Sequence, residues 1–96
     1  MHAIFFIPRE NFTSVKTKVE SDDVASRQSL TFRDCKTLGI EKDGYYLLVE
    51  GSEEGIDAVR KIEGLEEVKG EEAERIFEKI KEQESKAESG FGAIFG

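Results

Sequence analysis

Ile4, Phe5, Phe6 and Ile7 stand in a row behind His2 and Ala3, and the run ends at Pro8. A short apolar run closed by a breaker predicts a strand over 2–7 that is buried on both faces, in the middle of a sheet. The next segment, 10–28, carries two patterns at once. Phe12, Val15 and Val19 recur at helical spacing behind Asn11, a candidate cap. Thr13, Val15, Thr17 and Val19 also alternate with Ser14, Lys16, Lys18 and Glu20, which is strand-like and rich in β-branched residues. A crossover between parallel neighbours needs about a dozen residues and is usually helical. That context selects a helix, irregular near Ser21-Asp22-Asp23. The strand alternative would give a meander sheet with two C-terminal helices.

Ser29–Ile40 and Gly44–Glu50 read as two strands of a hairpin. Leu30 and Phe32 alternate in the first. In the second, Tyr45, Leu47 and Val49 share one face, and Tyr46 and Leu48 the other. Between them Glu41-Lys42-Asp43-Gly44 supplies an Asp-Gly pair, a signal for a tight turn with positive φ. A helix then starts behind Ser52 as N-cap, with Glu53, Glu54 and Asp57 near its positive end. Ile56, Val59 and Ile62 form its apolar face, and Gly64 stops it. Leu65–Lys69 is short and charged, as an edge strand protected from aggregation should be. From Glu71 to Ser85 or beyond, Ala73, Ile76, Phe77 and Ile80 give the i, i+3, i+4, i+7 stripe of an amphipathic helix.

The predicted order is β-α-β-β-α-β plus one further helix, an α+β domain over residues 1–88. Over residues 2–69 this order resembles the ferredoxin-like α/β plait, an antiparallel sheet covered on one face by two helices. That superfold hosts many unrelated functions and implies no activity. Residues 89–96, Ser89-Gly90-Phe91-Gly92-Ala93-Ile94-Phe95-Gly96, are glycine-spaced, uncharged and aromatic, and are expected to form a flexible apolar tail.

Composition narrows the partners. The 96 residues carry a net charge of −7. Residues 1–48 hold seven basic and seven acidic side chains, whereas residues 49–96 hold seven basic and fourteen acidic, so the C-terminal half carries the whole excess. Repulsion of phosphates argues against nucleic acid and against an anionic membrane surface. The mean hydropathy of −0.48 and the charged fraction of 36% fit a soluble domain, expected in the cytoplasm. No apolar run nears the ~20 residues of a membrane span, and the N-terminal run lacks the features of a signal peptide. A lone cysteine removes a disulfide framework. Scarce Asn and Gln beside abundant Glu and Lys resemble heat-adapted composition.

Candidate chemistry is thin. Cys35 follows Asp34, and a Cys-His dyad would need His2, the one histidine, on a neighbouring strand. Asp34 would raise the thiol pKa and oppose that role. Glu63, Glu66, Glu67, Glu71 and Glu72 cluster in sequence but match no cation-loop spacing. Gly51-Ser52-Glu53-Glu54-Gly55 joins strand to helix without a phosphate-loop pattern, and its glutamates occupy the anion's place. Phe5, Phe6, Phe32, Tyr45 and Tyr46 lack the basic residues and spacing of an RNA-stacking sheet. No catalytic residue, cofactor or metal ligand is therefore assigned.

The expected function is a non-enzymatic protein-interaction or regulatory module that self-associates as a homodimer or binds another protein. Its contact residues are expected to be Tyr45, Leu47, Phe91, Ile94 and Phe95. The motive is the sheet face left open by two helices, unless Ile76, Phe77 and Ile80 cover it within one chain. The alternative is a domain binding a small effector, an amino acid or nucleotide, at the hairpin or a dimer interface. An enzyme of unknown type stands third.

Overall fold

The computed structural model describes residues 1–95, with side chains through residue 85. Its elements are β1 (His2–Pro8), α1 (Phe12–Ser21), β2 (Ser29–Asp34), β3 (Gly44–Glu50), α2 (Glu53–Arg60), β4 (Glu66–Val68) and α3 (Gly70–Phe95). The strands form one antiparallel sheet in the order β2-β3-β1-β4. The apolar run of β1 is central, as its lack of alternation requires: Ile4, Phe5 and Ile7 are all buried.

Alternation along the strands divides the core in two. Ala3, Phe5, Ile7, Leu47 and Val49 face one side, where Val15 and Val19 of α1 and Ile56 and Val59 of α2 pack on them. Ile4, Tyr46 and Leu48 face the other side, against Ile76 and Ile80 of α3 and against Cys35 and Leu38. The sheet face left open by α1 and α2 is thus covered within the chain. Lys81 pairs with Glu50, and the Lys79 ammonium donates to the Leu38 carbonyl, which fixes α3 across the sheet.

The two-pattern segment is helical because burying Val15 and Val19 four residues apart on one face outweighs local strand propensity. Asn11 stands at the start of α1 but does not cap it; its amide donates to the Gly64 carbonyl instead, at 3.2 Å. Ser52 does cap α2, accepting from the Gly55 N–H at 3.1 Å.

The expected strand over Ser29–Ile40 is shorter, and the connection to β3 is not a tight turn. β2 ends at Asp34, whose carboxylate accepts from the Lys36 N–H and starts a 3-10 turn over Cys35–Leu38. Gly39, at φ 72°, closes that turn. Gly44 is extended and lies in β3 opposite Pro8. Its lack of a side chain serves close packing: a Cβ there would stand 2.8 Å from the Phe6 ring and closer still to the Ile7 carbonyl oxygen. β4 pairs only with β1 and carries Glu66 and Glu67, the charged edge the sequence predicts.

Candidate functional site

The connection between β2 and β3 encloses an open hollow of about 520 Å³ lined by Lys36, Gly39, Ile40, Glu41, Lys42 and Asp43. Lys42 links this hollow to the interior. Its ammonium lies 5.2 Å above the Phe6 ring and 3.3 Å from a carboxylate oxygen of Glu72, in the first turn of α3. The same Phe6 ring meets Tyr46 edge-on, with centroids 5.5 Å apart. Tyr46 is wholly buried, and its hydroxyl has no hydrogen-bond partner among the described residues. A buried polar atom without a partner costs ~1–3 kcal/mol. Desolvation pushes the Tyr46 phenol up, and the nearby Lys42 ammonium opposes that shift. Glu72 raises the Lys42 ammonium in turn.

Cys35 packs in the same cluster, wholly buried. Burial first, and Asp34 second, push its thiol up, away from the thiolate. His2 lies far from it. β3 separates β1 from β2, so the two are not neighbouring strands as the dyad required. His2 pairs with Glu50, whereas Asp34 pairs with Tyr45, five residues along β3. Five extended residues span roughly 17 Å. His2 instead stacks on Phe77, with ring centroids 4.0 Å apart. Native Cys35 is accordingly expected to react with iodoacetamide more than about tenfold slower than the urea-unfolded chain, read by mass spectrometry. Equal rates would place the thiol at the surface.

The expected contact residues fall in different places. Tyr45 stacks on Phe12 at 3.7 Å and accepts a hydrogen bond from Arg9 at 3.2 Å. Arg9 also pairs with Asp34 and Asp43, tying the ends of β1 and β2 to the connection. Leu47 is fully buried beneath α1 and α2, because the face it shares with Tyr45 and Val49 is the one those two helices pack on. Phe91, Ile94 and Phe95, and the expected flexible tail over 89–96, lie outside the residues whose side chains are described.

The acidic residues in sequence do not converge. Glu67 pairs with Arg60 at 2.8 Å, which holds its carboxyl below the usual range, and Glu72 pairs with Lys42. Among the described residues no group of three or more His, Cys, Asp or Glu side chains is placed to hold a metal ion. Three donors of the Gly51–Gly55 loop are used internally: the Gly51 N–H donates to the Met1 carbonyl, the Ser52 N–H to the Gln28 side chain, and the Gly55 N–H to Ser52.

Sequence reasoning missed the meeting of Lys42, Tyr46 and Glu72. A signal existed, since the hydroxyl of a tyrosine buried on an apolar strand face usually lies near a polar group. Among the described residues no helix is long and apolar enough to cross a membrane. Comparison with family models, with curated proteins and with solved structures returned no match.

Proposed function

We propose that this chain is a ferredoxin-like plait extended by a third helix, and that it works as a cytoplasmic, non-enzymatic protein-interaction module that self-associates through its C-terminal apolar segment. The plait reading is supported by the order β-α-β-β-α-β, the antiparallel sheet β2-β3-β1-β4, and the packing of α1 and α2 on one face. One observation carries the functional reading. Among the described residues the side chains on both faces of the sheet run from Ala3 to Ile80, and the sequence goes on to Phe91, Ile94 and Phe95 in a stretch without charge. Large apolar side chains are a liability at a surface unless another surface covers them. Because α3 already covers the second face, association rests on that segment rather than on an open sheet. Sedimentation velocity from low to high micromolar concentration tests this. The expected result is a shift from the 10.8 kDa monomer toward a dimer; a monomer at every concentration overturns it.

A second reading, a domain binding a small effector such as an amino acid or nucleotide, is favoured by the hollow beside Lys42 and the unpartnered Tyr46 hydroxyl.

A further inference from the structure

Resting on the small-effector reading, we infer that Lys42 and Tyr46 form a carboxylate-binding subsite behind the hollow of the β2–β3 connection, suited to a small monocarboxylate or the carboxylate end of an amino acid. Three observations meet there. The Tyr46 hydroxyl is buried and accepts or donates no hydrogen bond of regular geometry among the described residues, and the Lys42 ammonium is the cation beside it. Lys42 lines the hollow and sits over the Phe6 ring that Tyr46 also touches, so ammonium and phenol share one aromatic neighbour. Lys42 is held by Glu72 through a solvent-exposed pair, 3.3 Å long, with both side chains about half exposed. An exposed ion pair contributes little, whereas a buried orphan donor is costly. A ligand carboxylate that reaches both Lys42 and Tyr46 would therefore give up only a weak exposed pair and satisfy the buried hydroxyl.

The remaining lining sets the class of ligand. Ile40 in the lining, with the Phe6 ring beneath Lys42, offers apolar contact, which suits a short carbon chain. Glu41 lines the hollow and makes no ion pair among the described residues, which suits an ammonium group on the same ligand. Asp43 is engaged by Arg9, so it adds little free negative charge. The net charge of −7 works against dianions and larger polyphosphates at long range.

The test is an amide-shift titration of the full chain with sodium acetate, glycine and AMP, against sodium chloride at matched ionic strength. Acetate and glycine are expected to give saturable shifts in amides 36–46 that chloride does not. Tyr46→Phe and Lys42→Met are each expected to weaken that binding at least about tenfold, the loss of one charged or buried hydrogen bond. Tyr46→Phe also controls for folding, since it removes the orphan hydroxyl and is expected to hold or raise Tm while binding is lost. Acetate and glycine binding retained in both variants would overturn the inference. Saturable shifts with AMP alone would overturn it while sparing the small-effector reading. Silence toward all three probes would remove both.

Discussion

A Leu47→Ala chain is expected to lose ~2–5 kcal/mol of stability, the usual cost of truncating a fully buried leucine in a core that relaxes only in part. Leu47 has no exposed surface and sits among Phe5, Phe32 and the buried faces of α1 and α2. In a domain of this size that loss lowers Tm by at least about 8 °C. Thermal unfolding followed by circular dichroism at a concentration where the chain is monomeric reads it directly. If Leu47 served an intermolecular contact instead, the monomer would lose no more than ~0.5 kcal/mol. The experiment thereby separates the two places where an apolar residue of β3 can work.

Gly44→Ala is expected to cost more than Gly39→Ala, through crowding and not through the positive φ that an Asp-Gly turn implies. At Gly44 the backbone is extended, but a Cβ would collide with the Ile7 carbonyl and lie 2.8 Å from the Phe6 ring. The carbonyl belongs to the central strand β1 and cannot yield without disturbing its ladder. Overpacking of that kind costs ~1–3 kcal/mol or more. At Gly39 the φ of 72° penalises any side chain, yet nothing lies within 4 Å of the site. The penalty there is the left-handed conformation alone, about 1–2 kcal/mol. Urea unfolding of the two variants gives the comparison. A smaller loss at Gly44 would mean that the β1–β3 approach is wider than described.

Local pattern carried much of the architecture. Unbroken apolar character placed β1 at the sheet centre, alternation assigned the two faces of β3, and the stripe Ala73, Ile76, Phe77, Ile80 marked the buried side of α3. What failed depended on distant partners. Gly44 reads as a turn residue until Ile7 and Phe6 stand beside it. Asn11 reads as a cap until Gly64 arrives to accept its amide. Leu47 reads as a contact residue only while the wrong face is taken as open. The Lys42–Tyr46–Glu72 meeting was missed for the same reason: Tyr46 signals a polar neighbour but not which one, and the members come from a connection, a strand and a helix separated by up to thirty positions.

The central claim is that the C-terminal apolar segment serves association rather than the domain's own core. The most direct test is the full-length Phe91→Ser, Ile94→Ser, Phe95→Ser chain, compared with the natural one by sedimentation and by thermal unfolding at a dilution where both are monomeric. The account predicts that the dimer is lost while the monomer's Tm stays within about 2 °C, the scale of surface substitutions. A Tm drop of about 8 °C or more in the dilute monomer would contradict it, because those side chains would then belong to the domain's own core.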